Sequence, residues 1–202
     1  GQKLSNADIL KSSNLEKVPD QDKNDVAREW ENIQEDLGDD FDRFLAFVRT
    51  LWLKKRQRAS LLDEYEKMIF APGLIQKGKP FFDLLTKTYK TYNKLINLVG
   101  NTDIPYCNLI RMLQHCMSST DWIAVVLAYA NKFQTNRLTE FAQKVAHKNI
   151  ADSVCGIGPT RRIDNLNNII LLIEKANSID EVFDNDTVYS FDQNVFLANI
   201  QS

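Results

Sequence analysis

DDFDRFLAFVRTLWLKKRQR, residues 39–58, reads as a helix that leaves no face to water. Phe41, Phe44, Leu45, Phe47, Val48, Leu51, Trp52 and Leu53 recur at spacings of three and four and cover most of the circumference. Such a helix has to be enclosed, so other helices must pack around it, each supplying one apolar stripe. Lys54, Lys55, Arg56 and Arg58 close the stretch, where the negative end of a helix dipole favours cations.

The flanking sequence supplies those helices. Upstream, Ser5 reads as an N-cap, Asp8 three residues on accepts from its backbone N–H, Leu4 stands outside as a staple, and Pro19 ends the first helix. Residues 22–37 place Val26, Trp30, Ile33 and Leu37 on one side, with Gly38 following as the stop. Downstream, Ser60 and Asp63 cap a short helix over 61–70, halted by Ala71, Pro72 and Gly73. Helical periodicity returns over 81–99, closed by Gly100, and over 106–117. Residues 121–133 are almost wholly apolar, with Thr120 as cap, and are the second buried position. Residues 137–154 break at CGIGP, Thr160 caps 161–176, and two weaker helices follow over 178–183 and 188–200. The expected fold is all-α: a bundle of about eight or nine helices around a buried central one, in a single domain over residues 1–202. Residues 71–79 are the place for a hinge.

Composition agrees. Hydrophobic residues are 44% and charged residues 26% of 202, the balance of a globular chain, and 7 Gly with 5 Pro leave little material for the turns of a β fold. A net charge of -2 argues against a surface tuned throughout for a phosphate backbone. No apolar run approaches the ~18 residues of a membrane span, so no membrane partner is expected. The opening lacks Met and any signal-peptide pattern, which leads us to expect an excised fragment. Cys107, Cys116 and Cys155 are odd in number and irregular in spacing, which suits free buried thiols in a reducing cytoplasm.

Chemistry is sparse. Cys107, His115, Cys116 and His147 have no metal-ligand spacing, so no metal or cofactor is expected. Cys155 as a nucleophile would sit at the unfavourable end of a helix dipole, with Arg161 and Arg162 as candidates for a cationic neighbour. In CGIGPTRR a glycine-containing turn enters a helix bearing two arginines, which can hold a phosphate or sulfate; the plainer reading is a helix stop, a rigid Pro159 and a cap. Lys54, Lys55, Arg56 and Arg58 form the densest basic cluster, a nucleic-acid candidate that helix-end placement also explains. The acidic run Glu35, Asp36, Asp39, Asp40 and Asp42 reads as a solvated helix junction, and Trp30, Trp52 and Trp122 read as core.

Two stretches resemble a family. In GQKLSNADILKSSNL, Gly1, Leu4, Ser5, Asp8, Ile9, Leu10 and Lys11 match the segment that follows the nucleotide-binding half of GmrS-like proteins. These are the ParB/sulfiredoxin-like family of GmrSD-type, modification-dependent type IV restriction systems of phage defence. In VCGIGPTRRIDNLNNIILLI, Cys155, Gly156, Pro159, Thr160 and Asn165 match that family's later motif, and FDRFLAFVRTLWLKK fits a helical region between the two. The similarity touches both ends of residues 1–176. The family's Asp-Gly-Gln-Gln-Arg-type nucleotide motif and its His-Asn-His-type nuclease segment are absent from this sequence. The resemblance therefore implies a non-catalytic helical half that packs on an upstream nucleotide-binding domain, with Asp8 and Lys11 facing it, and that contacts a nuclease domain or DNA. The alternative is a self-contained helical scaffold for protein–protein contacts, unrelated to restriction.

Overall fold

A computed structural model describes residues 5–201. The Leu4 staple and the matches at Gly1 and Leu4 lie outside the described residues. The regular structure of the described residues is all helical, with no strand. None of their helices is long and apolar enough to cross a membrane. The chain divides into two compact units: the described residues through Leu53 with Gln57–Tyr92, and Lys54–Arg56 with the described residues from Asn93 onward.

The first unit holds α1 (Asn6–Leu15), α2 (Asp20–Leu37), α3 (Phe41–Leu53), α4 (Leu61–Glu64), which runs into a π-helical turn over Tyr65–Phe70, and most of α5 (Lys79–Leu95). Ser5 and Asp8 make a reciprocal capping box: Ser5 Oγ accepts from the Asp8 N–H at 3.1 Å and Asp8 Oδ2 from the Ser5 N–H at 3.0 Å. Ser60 caps α4 in the same way, accepting from the Asp63 N–H at 3.1 Å. Aromatic rings fill the core. Trp30 meets Phe41 edge-on at 5.1 Å and Phe82 at 5.8 Å, while Phe81 lies 5.6 Å from Tyr65 and 5.2 Å from Phe70.

α3 departs from its expected form in two ways. Phe41, Phe44, Leu45, Phe47 and Val48 are buried, but Leu51, Trp52 and Leu53 in its last turn are only half-buried. The helix also stops at Leu53, because Lys54 adopts a left-handed φ of 48°. Lys54, Lys55, Arg56 and Arg58 thus lie in irregular chain beyond the helix rather than in its last turn. The expected hinge at 71–79 falls inside the first unit. The Gly78 N–H donates to the buried Asn14 Oδ1 at 3.1 Å, and Lys77 pairs with Glu66 at 2.6 Å. Gly78 is required there: its φ is +93°, and a Cβ would stand 2.9 Å from the Lys17 carbonyl oxygen.

The second unit holds the end of α5, then α6 (Ile104–Cys116), α7 (Trp122–Phe133), α8 (Leu138–Val154), α9 (Pro159–Lys175), α10 (Ile179–Phe183), α11 (Asp186–Tyr189) and α12 (Gln193–Ile200). α7 buries Trp122 through Leu127, Tyr129 and Ala130 and packs on α8 and α9, as its apolar composition requires. Tyr129 stacks on Phe141 of α8 at 4.0 Å.

Several termini shift from their expected places. Thr120 does not cap α7; the Ser119 hydroxyl accepts from the Asp121 N–H at 3.2 Å. Thr160 is not a cap either, because Pro159 is already the first residue of α9 and Gly158 precedes it. α6 begins at Ile104 rather than Tyr106, since Asp103 accepts from the Tyr106 N–H at 3.0 Å and Pro105 fits the first turn. The final expected helix is two, because Asp192 starts a new one by accepting from the Val195 N–H at 3.0 Å. Of the three thiols only Cys107 is buried; Cys116 is exposed and Cys155 half-exposed.

Candidate functional site

Charged residues are seldom enclosed unless each has a partner. α8 encloses two. Lys148 and Asp152 stand one turn apart on the same face, 6% and 4% exposed, and Lys148 Nζ donates to Asp152 Oδ1 at 2.7 Å. Lys148 Nζ also donates to the Ser190 carbonyl at 2.6 Å, and Asn165 Nδ2 of α9 donates to Asp152 Oδ2 at 2.7 Å. A lysine, an aspartate and an asparagine thus join α8, α9 and the turn after α11.

This polar wall borders an open cleft of about 540 Å³. Cys155 and Arg161 extend the wall, and Val188, Phe191 and Val195 form an apolar part of the lining. The chain after α11 is held to α8 from both ends of this segment. Cys155 Sγ bonds the Asp192 carbonyl at 3.5 Å, and Asn199 Nδ2 donates to the Val154 carbonyl at 2.8 Å. A volume in this range, with mixed polar and apolar walls, is that of a small-molecule pocket.

Arg161 lines the cleft, is exposed, and has no ion pair or hydrogen bond among the described residues. Arg162 is half-buried and does not line it. The other basic group lies elsewhere. Lys54 pairs with Glu174, thirteen positions beyond Arg161 on α9 (161 to 174), and at ~1.5 Å per residue this is about 20 Å along the axis. Lys54 and Arg161 therefore do not share one patch. Lys55 and Arg56 accompany Lys54 in the second unit. Arg58 belongs to the first, its backbone N–H donating to Glu64 Oε1 at 2.8 Å.

Asp8 and Lys11 sit on α1 with partners of their own. Asp8 is held below the usual carboxylate range by the hydroxyl and backbone N–H of Ser5, and Lys11 Nζ meets Glu31 at 2.7 Å. A second enclosed pair, absent from the sequence reading, joins Arg49 of α3 to Glu64 of α4, at 1% and 2% exposure. Burial pushes the Glu64 carboxyl up, but the N–H groups of Arg58 and Ala59 and the Arg49 guanidinium together hold it below its ordinary value. Among the described residues no three His, Cys, Asp or Glu side chains gather as a metal site would need.

The chain matches no protein-family model, no curated protein and no solved structure with which it was compared.

Proposed function

We propose that the chain is a non-catalytic helical module of a GmrS-like, restriction-associated protein. In this reading it works in the cytoplasm, packs on an upstream nucleotide-binding domain of the same protein, and passes that domain's state to a nuclease or a DNA substrate. One observation carries the reading: Cys155 and Asn165, both in the second matching stretch, line a single cleft, and Asn165 bonds the buried Asp152. The meeting of two motif-like residues on one polar wall supports a shared architecture with that family. Asp8 and Lys11 face the nucleotide-binding domain in this reading while keeping Ser5 and Glu31. α3 serves as the rod about which the helices of the first unit gather, a role that the burial of Phe44, Leu45 and Val48 supports.

Purified residues 1–202 are expected to turn over neither nucleoside triphosphate nor DNA, and hydrolysis or cleavage that follows the pure chain overturns the proposal. The parent gene supplies a second test: an Asp-Gly-Gln-Gln-Arg motif upstream supports the family, and its absence removes it. A scaffold for protein–protein contacts is the second reading, favoured by Val195, Leu197 and Ile200, which α12 leaves 39%, 49% and 56% exposed.

A further inference from the structure

The cleft beside α8 and α9 holds cationic hydrogen-bond donors that lack partners. Four charged side chains line it: Lys148, Asp152, Arg161 and Asp192. Both carboxylates already accept hydrogen bonds. Asp152 takes Lys148 on one oxygen and Asn165 on the other, and Asp192 accepts the Val195 N–H that starts α12. The two cations keep N–H groups to spare. An ammonium has three N–H bonds, of which Lys148 spends two, on Asp152 and on the Ser190 carbonyl. Arg161 brings five more and no partner among the described residues. Its position makes this costly: it stands in the first turn of α9, where the helix dipole repels a cation. An anion between Arg161 and the Lys148 ammonium relieves that repulsion and uses the spare donors.

The rest of the lining sets the shape of what carries the anion. Ile157, Val188, Phe191 and Val195 are apolar, and the cleft of about 540 Å³ is far larger than a lone phosphate or carboxylate needs. We propose that this cleft binds a small anionic ligand, a phosphate or carboxylate on a compact apolar body, with Arg161 as its anion-binding residue and Phe191 against its apolar part. The proposal is independent of the family reading: a chain that cut DNA would defeat that reading and leave this site standing.

The test is calorimetric titration of the whole 202-residue chain with three probes: phenyl phosphate, benzoate and inorganic phosphate. Phenyl phosphate, benzoate or both should bind, and the stronger of the two identifies the anion. Inorganic phosphate should bind at least about tenfold more weakly than the stronger organic anion, because it leaves the apolar wall in water. Arg161→Ala should weaken binding of the organic anion by about tenfold or more, the loss expected for a charge-assisted hydrogen bond. Since Arg161 makes no ion pair or hydrogen bond among the described residues, the unfolding midpoint without ligand should stay put, and Arg162→Ala should bind as the native chain does. The proposal fails if neither organic anion binds at about 10 mM, if Arg161→Ala binds as tightly as the native chain, or if inorganic phosphate binds as well as the stronger organic anion.

Discussion

Glu64 shows how one side chain can tie a helix junction together. Its carboxylate receives the Arg49 guanidinium from α3 and the N–H groups of Arg58 and Ala59 from the chain just before α4. Beside it the Tyr65 hydroxyl donates to the Leu45 carbonyl at 2.7 Å. Removing one member of such an enclosed pair leaves the other charge stranded, at a cost of about 3–5 kcal/mol. Glu64→Gln is accordingly expected to lower the unfolding free energy at pH 7 by about 3 kcal/mol. The pH dependence has a definite sign. The folded carboxyl titrates below its unfolded value of about 4.3. Its contribution is therefore complete above about pH 4.3 and is lost as pH falls from there through the folded value. Denaturant titrations of both proteins between pH 3 and pH 7 should show the gap between them narrowing at the acid end. A gap that stays constant would mean that Glu64 is not held as a carboxylate by these three donors.

At the scale of elements, α8 does two things that its sequence does not distinguish from one. Lys148 and Asp152 at a spacing of four look like any solvated ion pair on a helix surface. What encloses them is Asn165, thirteen positions after Asp152, and a carbonyl at Ser190, forty-two positions after Lys148. Periodicity within one helix carries no information about such partners, so the sequence of α8 does not mark the pair as enclosed, whereas CGIGPTRR carries its glycines and arginines in one contiguous run. The same limit applies to Arg49, which interrupts an apolar circumference and meets Glu64 only through the fold. Local signals fared better. The caps at Ser5 and Ser60 and the apolar density of α7 are statements about neighbours in sequence, and the structure repeats them. Thr160 failed because Pro159 can open a helix without help. A test follows from the double duty of Lys148. Asp152→Asn should remove the countercharge and cost about 3 kcal/mol, and it should loosen Lys148 from Ser190. Hydrogen exchange in Asp186–Tyr189 and Gln193–Ile200 should then quicken well beyond that in α7. Equal acceleration in both would show that Lys148 does not hold the C-terminal segment.

For the whole molecule, tyrosine offers a reading that no single site gives. The chain has six tyrosines, and in every one of them, Tyr65, Tyr89, Tyr92, Tyr106, Tyr129 and Tyr189, burial leads in pushing the phenol above its ordinary value. Tyr89 is pushed up to about 12, with the Asp36 carboxylate that accepts its hydroxyl adding to the effect. An unfolded chain ionises its phenols near pH ~10. The folded form is thus fully favoured below about pH 10, and its advantage drains away as pH rises from there toward the folded values. Two observables should follow. The unfolding midpoint should be flat through neutral pH and drop above about pH 10. Phenolate absorbance should stay near zero at about pH 10.5 while the helical circular dichroism is intact, then rise together with the loss of helix. If half of the tyrosine signal instead titrates near pH ~10 in a chain that is still helical, the rings are open to water and the packing described for both units is wrong.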